Sequence, residues 1–297
     1  MGGPTPGCAA SPPSTGGCIP EIIWVAPTHR ATGRSATRRD AVHEVTDTPD
    51  SAAPSRPLAV VTGASAGIGE AIATRLAGEG FRLLLGARRE DRIRQLAARL
   101  GAEARVLDVA DESSVAAFCA GIDRLEVLVN NAGGARGLDR LADARSETWR
   151  WMWEVNVLGL MQMTRALLPA LEASGRGHIV NVSSTAGFEV YEGGSGYTSA
   201  KHAVHAISRT LRLELAGRPI RVTEVSPGMV ETDFSLNRFV GDAGRAADVY
   251  RGVTPLTAAD IADVVAFAVT RPAHVNLDEI VVRPVQQASA YKLVRHG

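Results

Sequence analysis

The chain has 297 residues, of which 45% are apolar and 22% charged, a balance typical of a globular protein with a well-buried core. Its 32 basic and 32 acidic residues cancel, so we expect no general attraction to nucleic acid or to an anionic membrane. The sequence contains no run of eighteen or more apolar residues, so it predicts no membrane span. Three cysteines, without a Cys-x-x-Cys motif or a Cys/His cluster, indicate neither a disulfide framework nor a metal site. We therefore expect a cytoplasmic protein that binds no metal.

Residues 1–56 differ in composition from the rest of the chain. They are rich in Pro, Gly, Ser, Thr and Ala and lack a sustained hydrophobic period, which predicts a disordered low-complexity tail. The apolar patch at 19–25 is too short for a secretory signal, and Asp40 rather than an apolar core follows the arginine pair at 38–39. We expect a dispensable tail, or a misassigned start codon, and one catalytic domain at 57–297.

After residue 57, short apolar runs alternate with helical patterns. Runs of this length, rich in Val, Ile and Leu, are typical of parallel strands buried on both faces. The alternation predicts a single doubly wound α/β Rossmann domain with a seven-stranded parallel sheet and ligands at the carboxyl ends of its strands. The predicted strands are 58–61, 81–85, 104–107, 127–129, 178–182, 221–225 and 279–282. The predicted helices are 70–77, 91–100, 113–120, 147–172 and 196–215.

The first predicted strand leads directly into a glycine-rich loop that is followed at once by a helix. Glycines allow a tight turn and the close approach of a pyrophosphate, and free N–H groups at the helix start bind its charge. The position between a buried strand and a helix therefore predicts a dinucleotide site. The loop consists of Thr62, Gly63, Ala64, Ser65, Ala66, Gly67, Ile68 and Gly69.

The end of the second predicted strand indicates which dinucleotide binds. An NAD site usually has an acidic residue there for the ribose 2′-hydroxyl. Here Arg88 and Arg89 follow the strand, with no acid before Glu90. A guanidinium group can donate two parallel hydrogen bonds to a phosphate. The sequence therefore favours NADP, which carries a 2′-phosphate. The alternative is a solvated basic start to the next helix.

A tyrosine and a lysine stand four residues apart in a long helical pattern. The spacing places Tyr197 and Lys201 on one helix face, where the ammonium would lower the pKa of the phenol toward that of a general base. The chain has thirty arginines and only two lysines, Lys201 and Lys292, so a lysine here indicates a need for a compact ammonium. A solvated surface charge is the alternative for either lysine.

Further polar residues lie where the same site would form. Ser183 and Ser184 end the predicted strand at 178–182, and alternation directs only one of the two hydroxyls into a cleft at the strand end. That hydroxyl would orient a substrate oxygen. Asn156 lies in an apolar helical stretch and must find hydrogen-bond partners there, in a site or simply between helices.

With these motifs in this order, the chain from Leu58 to its C-terminus resembles the short-chain dehydrogenase/reductase family. The resemblance implies that Tyr197 is the general acid/base, that Ser184 orients the carbonyl, and that Lys201 binds the nicotinamide ribose and lowers the pKa of Tyr197. It implies that Asn156 holds a water that relays the proton to solvent. It also implies that Asp108 and Val109 flank the adenine. Further cofactor contacts are implied for Asn131, Ala132, Gly133, Pro227, Gly228, Val230 and Thr232.

The C-terminal third is similar to the NADP-dependent 3-hydroxy acid dehydrogenases, in segments 234–239, 256–261 and 272–276. This resemblance implies oxidation of serine, L-allo-threonine and related 3-hydroxy acids by a homotetramer. Arg136 and Glu192 depart from that pattern in loops expected to border the substrate. We hypothesise that Arg238, or else Arg136, binds a substrate carboxylate, with a surface arginine as the alternative for each. Reduction of neutral ketones or aldehydes, and a non-catalytic NADP-binding sensor, remain as other functions.

Overall fold

The computed structural model describes residues 2–3 and 56–296, and within 56–296 seven parallel strands form one sheet. The strands are β1 (Leu58–Thr62), β2 (Arg82–Ala87), β3 (Glu103–Val106), β4 (Val127–Asn130), β5 (Gly177–Val182), β6 (Ile220–Pro227) and β7 (Glu279–Val282). Their order is β3-β2-β1-β4-β5-β6-β7, the doubly wound arrangement. The predicted Rossmann fold is therefore confirmed. The predicted tail at 1–56 lies outside the described residues, apart from residues 2, 3 and 56.

Helices cover both faces of the sheet. They are α1 (Gly67–Gly78), α2 (Glu90–Leu100), α3 (Glu112–Cys119), α4 (Ser146–Trp153), α5 (Gly159–Ala173), α6 (Ser195–Glu214), α7 (Phe234–Arg238), α8 (Ala243–Tyr250) and α9 (Ala258–Val269). The predicted helix at 147–172 spans α4 and α5, which a π-helical turn at Glu154–Leu158 separates. Within residues 56–296, none of the helices has the length and hydrophobicity that a membrane span requires.

The strand at the centre of the sheet explains why apolar runs, rather than alternating patterns, predict this fold. Along β1, Ala59 and Val61 pack into the core that contains α1 and α9, whereas Leu58 and Val60 pack into the core that contains α5. Every residue of β1 is buried. A strand covered on both faces needs an apolar side chain at each position.

The order of the strands reverses between β1 and β4, and a cleft opens where their carboxyl ends separate. Thr62 at the end of β1 joins the two strands. Its hydroxyl donates to the Val129 carbonyl at 3.2 Å and accepts from the backbone N–H of Asn131 at 3.0 Å. These bonds hold the loops after β1 and β4 together at the edge of the sheet where the cleft forms.

Candidate active site

A cleft of about 860 Å³ lies at the carboxyl ends of the strands, and all but one of the predicted site residues line it. The exception is Asn156. The residues predicted to bind the cofactor that line the cleft are Gly63, Ser65, Ala66, Gly67, Ile68, Gly69, Arg88, Arg89, Asp108, Val109, Asn131, Ala132, Gly133, Pro227, Gly228, Val230 and Thr232. The residues predicted for catalysis or substrate binding that line the cleft are Ser184, Tyr197, Lys201, Arg136, Glu192 and Arg238.

The glycine-rich loop has the conformation that a phosphate cradle requires. Gly63 and Gly67 have φ angles of +67° and +58°, which favour glycine. A Cβ atom at Gly69 would overlap the carbonyl oxygen of Gly63, so the loop and the first turn of α1 can pack this closely only without a side chain. Ala66 caps α1 without a side-chain hydrogen bond, which leaves the first N–H groups of the helix available to an anion. The loop therefore fits a pyrophosphate.

Arg89 reaches back across this loop. Its Nε and Nη2 atoms donate to the Ser65 hydroxyl at 3.1 and 2.9 Å. Burial lowers the pKa of Arg89, and the positive charges of Arg92 and Arg88 lower it further. A phosphate dianion beside these guanidinium groups would relieve their mutual repulsion. The arrangement fits a ribose 2′-phosphate at this end of the cleft.

Three of the four predicted catalytic residues, Ser184, Tyr197 and Lys201, line the middle of the cleft. Tyr197 and Lys201 are both buried on α6, with the Lys201 Nζ atom 5.8 Å from the centre of the Tyr197 ring. Lys201 also donates to the Val182 carbonyl at 3.0 Å, at the end of β5. Ser184 follows that strand, its hydroxyl accepts from the Ala186 N–H at 3.1 Å, and it lowers the pKa of the Tyr197 phenol. The neighbouring Ser183 hydroxyl is buried and has no hydrogen-bond partner among the described residues.

The environment of Tyr197 differs from the sequence-based expectation. Burial raises the pKa of its phenol well above the ordinary value, and Tyr191 adds to this, whereas Ser184 and the charge of Arg238 oppose it. The role of Lys201 in lowering this pKa stays a prediction, and burial of the phenol acts in the opposite direction. Burial also lowers the pKa of Lys201 to about 8, partly offset by Glu224. Spacing along a helix predicts proximity, but it does not predict the loss of solvent around both groups.

Asn156 lies in the π-helical turn rather than at the cleft. Its Nδ2 atom donates to the Met152 and Gly134 carbonyls at 2.7 and 2.8 Å, and its Oδ1 atom accepts from the Gly134 N–H at 3.2 Å. The side chain is thus fully engaged within the chain. It ties the loop after β4, which lines the cleft, to the helix behind it.

The two arginines proposed for the substrate have different surroundings. The guanidinium of Arg238 is half-buried, 5.7 Å from the centre of the Tyr197 ring, and donates to the Gly137 carbonyl at 2.9 Å and to the Tyr191 hydroxyl at 3.1 Å. Arg136 is exposed and stacks 3.9 Å above the ring of Trp151. The structure thus brings Arg238, rather than Arg136, next to the predicted acid/base.

Glu192 pairs with Arg140 at 2.7 Å, and both side chains are about three-quarters exposed. An exposed pair of this kind contributes little free energy. It leaves Glu192 at the rim of the cleft, with its charge balanced by a residue outside the cleft lining.

Several residues of the cleft have no counterpart among the sequence predictions. Beside Tyr197 and Arg238 lie the aromatic side chains of Tyr191, Trp151 and Phe234. A C-terminal segment completes one wall, with Gln287, Ser289, Ala290, Leu293 and Arg295. The Gln287 Oε1 atom accepts from the Met229 N–H at 2.9 Å, which attaches this segment to the loop after β6. Trp151 lies in the predicted helix 147–172 and Phe234 in the segment 234–239, but neither pattern indicated a place in the cleft, and Tyr191 and the C-terminal segment belong to no motif.

No group of three or more His, Cys, Asp or Glu side chains within residues 56–296 could hold a metal ion. Residues 57–240 match the family model for short chain dehydrogenases. The chain belongs to the short-chain dehydrogenase family. It is therefore an oxidoreductase, and the resemblance predicted from its sequence motifs is confirmed.

Individual members of the short-chain dehydrogenase family are similar to this chain over most of its length. An uncharacterized oxidoreductase of Mycobacterium tuberculosis is 59% identical over 239 residues, which cover 80% of this chain and 95% of that protein. The NADP-dependent 3-hydroxy acid dehydrogenase of Salmonella typhi is 40% identical over 240 residues, covering 78% and 97%. The closed form of serine dehydrogenase complexed with NADP+ is 37% identical, with a TM-score of 0.77 and coverage of 81% and 100%.

Proposed function

We propose that this chain is an NADP-dependent dehydrogenase that reversibly oxidises the 3-hydroxyl of a small 3-hydroxy acid, of the serine or allo-threonine type, to a ketone. The similarity to an NADP-dependent 3-hydroxy acid dehydrogenase and to an NADP+-bound serine dehydrogenase supports the cofactor and the reaction class. The position of Arg238 in the cleft supports the acidic substrate.

NADP+ would lie along the cleft, with its pyrophosphate on the loop from Gly63 to Gly69 and its 2′-phosphate beside Arg88 and Arg89. Lys201 would bind the hydroxyls of the nicotinamide ribose. When bound, the cofactor supplies the acceptor for the hydrogen and two electrons that leave the carbinol carbon. The other cofactor contacts proposed from the family resemblance, including Asp108 and Val109, line the same cleft.

Tyr197 would accept the proton of the substrate hydroxyl, and Ser184 would hold that hydroxyl in line by a hydrogen bond. A buried phenol resists ionisation, so the phenolate needs nearby positive charge. Lys201 supplies an ammonium on the same helix face, and the charge of Arg238 already lowers the pKa of Tyr197. In the reverse direction the same phenol returns the proton to the developing alkoxide.

Arg238 is the observation that carries the choice of an acidic substrate. Its contacts among the described residues are a carbonyl and a phenol, both neutral, so its charge has no carboxylate partner there. A half-buried guanidinium without a counter-charge is costly unless a ligand supplies one. A carboxylate bound to Arg238 would place the attached 3-hydroxyl group near Tyr197, whose ring centre lies 5.7 Å from the guanidinium.

Replacing Arg238 by alanine tests this assignment. Loss of a hydrogen bond to a charged group costs about 1.5–3 kcal/mol, so kcat/KM for L-allo-threonine should fall roughly 10- to 150-fold, mainly through KM. Oxidation of 2-butanol, which has no carboxylate, should show only the smaller loss that follows from the effect of Arg238 on the pKa of Tyr197. Arg136→Ala is the matched control and should leave kcat/KM unchanged for both substrates. Equal losses on both substrates would rule out a carboxylate site at Arg238.

Reduction of neutral ketones is the second candidate. The aromatic side chains of Trp149, Trp151, Tyr191 and Phe234 pack around Tyr197 and would suit an apolar substrate. If 2-butanone is reduced with a higher kcat/KM than 3-hydroxy acids are oxidised, and Arg238→Ala leaves that ratio unchanged, this second function is the correct one.

We also propose a cytoplasmic homotetramer in which 57–297 is the catalytic domain. A variant that starts at Ser55 should keep its activity and thermal stability if residues 1–56 are dispensable. Sedimentation equilibrium of the same variant measures the number of subunits.

A further inference from the structure

One face of α6 is joined to the sheet through polar rather than apolar side chains. Residues spaced by three or four positions share a helix face. Four residues of α6 with this spacing each form a hydrogen bond or ion pair with the sheet. Lys201 donates to the Val182 carbonyl, and the His205 Nδ1 atom contacts Glu224. Farther along, Ser208 accepts from Asn181, and Arg212 donates to Glu279. Helices usually cover a sheet with apolar residues, so this polar row requires an explanation.

Glu224 on β6 is the least solvated acid in this row, with 1% of its surface exposed. Its carboxylate oxygens lie 3.1 and 3.2 Å from the His205 Nδ1 atom, and one accepts from the Ser226 hydroxyl at 2.9 Å. A carboxylate this deeply buried is destabilising unless positive charge lies near it. His205 and Ser226 provide hydrogen bonds and hold the carboxylate in one orientation.

Lys201 lies one helical turn from His205 and therefore close to this carboxylate. The strand register gives the same result, because Val182, whose carbonyl binds the ammonium, pairs with Val225, the neighbour of Glu224. The ammonium of Lys201 and the carboxylate of Glu224 thus flank the same pair of strands. Both are buried, where opposite charges interact far more strongly than in water.

The other titratable groups around Lys201 do not compensate its charge. The ring centre of Tyr197 on the same helix lies 5.8 Å from the ammonium. Arg238 of α7 lies 5.7 Å from the same ring centre and carries the same charge as the lysine. From the π-helical turn, the neutral amide of Asn156 packs nearby. Among the described residues, Glu224 is the acid whose field raises the pKa of Lys201 against the effect of burial.

We propose that Glu224 is a positioning residue that keeps Lys201 protonated and aimed at the cleft, with His205 and Ser226 holding its carboxylate in place. The importance of Lys201 for catalysis rests on the proposed function. The electrostatic coupling of the two side chains does not. A carboxylate that served only to anchor His205 would leave the titration of Lys201 unchanged when it is removed.

The chain offers a direct measurement, because Lys201 and Lys292 are its only lysines. Full-length protein labelled with [ε-13C]lysine gives two resonances in a 1H–13C spectrum, and a pH titration reports each pKa without cofactor or substrate. Lys292 is exposed and serves as the internal reference. In Glu224→Gln we expect the pKa of Lys201 to fall by roughly one pH unit or more, with Lys292 unchanged.

Glu279→Gln is the matched control, since Glu279 pairs with Glu224 across β6 and β7 but bonds to Arg212. It should leave the titration of Lys201 in place. If Glu224→Gln does not fold, Ser226→Ala removes one bond to the carboxylate and should give a smaller shift in the same direction. A Lys201 titration that is the same in wild type and in the folded Glu224 or Ser226 variant would overturn the proposal.

The kinetic consequence is a second readout. With NADP+ and L-allo-threonine, the loss of activity at high pH that accompanies deprotonation of Lys201 should begin at lower pH in Glu224→Gln. Inactivity of the wild type on every 3-hydroxy acid would refute the proposed substrate, whereas the two-resonance titration would still decide whether Glu224 sets the charge of Lys201.

Discussion

Lys201→Met is expected to make the protein more stable at neutral pH. Burial lowers the pKa of Lys201 from 10.5 to about 8. That difference corresponds to about 3 kcal/mol of unfavourable free energy for holding the ammonium in the native state at pH 7. Loss of the hydrogen bond to the Val182 carbonyl would reduce this gain in stability by about 1 kcal/mol, because the buried carbonyl would then lack a donor.

The pH dependence of the unfolding free energy separates the effect of the buried charge from the effect of the lost hydrogen bond. Because the pKa of Lys201 is lower in the native than in the unfolded chain, the unfolded chain binds the extra proton between pH 8 and 10.5. The unfolding free energy of the wild type should therefore rise relative to that of Lys201→Met across this window. We expect the advantage of the variant to shrink by about 2.5 kcal/mol between pH 7 and pH 10.

Urea denaturation at both pH values, at one protein concentration and without cofactor, measures this difference. Lys292→Met is the control, since Lys292 is exposed, and its difference from the wild type should not vary with pH. A stability difference between wild type and Lys201→Met that is constant from pH 7 to pH 10 would refute the burial of a charged lysine.

Two further predictions concern the cofactor. Arg89→Ala should weaken NADPH binding roughly 10- to 150-fold and leave NADH binding unchanged, as loss of a charge-assisted bond to the 2′-phosphate requires. Fluorescence titration measures both, with Arg92→Ala as the control outside the cleft lining, and equal losses for the two cofactors would contradict the assignment. Gly69→Ala should abolish NADPH binding, because its Cβ atom would overlap the Gly63 carbonyl. Gly78→Ala, at a position with nothing within 4 Å of the added atom, should bind normally and gain up to about 1 kcal/mol of stability in urea denaturation.

The strands were predictable because a two-sided parallel sheet requires continuous apolar runs, and β1 and β7 fall within a residue of their predicted bounds. The short helices α7 and α8 were not predicted, because five to eight residues give little hydrophobic periodicity. The π-helical turn at Glu154–Leu158 interrupts a pattern that reads as one helix.

In the site, motifs predicted the members of the cleft, but not their environment. The direction of the pKa shift of Tyr197 depends on burial by residues far apart in the chain, which helix spacing does not encode. The choice between Arg238 and Arg136 depends on the stacking of Arg136 on Trp151 and on the contact of Arg238 with Tyr191. Both contacts join separate segments, so the sequence left the alternatives open.

The central claim is that Tyr197 transfers the proton in an NADP-dependent oxidation of a 3-hydroxy acid. Absorbance at 340 nm, followed with NADP+ and L-allo-threonine for wild type and Tyr197→Phe, tests it most directly. We expect NADPH formation by the wild type and a kcat roughly 10²- to 10⁴-fold lower in the variant, with NADPH affinity retained. Equal turnover by the two proteins, or turnover of NAD+ in preference to NADP+, would contradict the account.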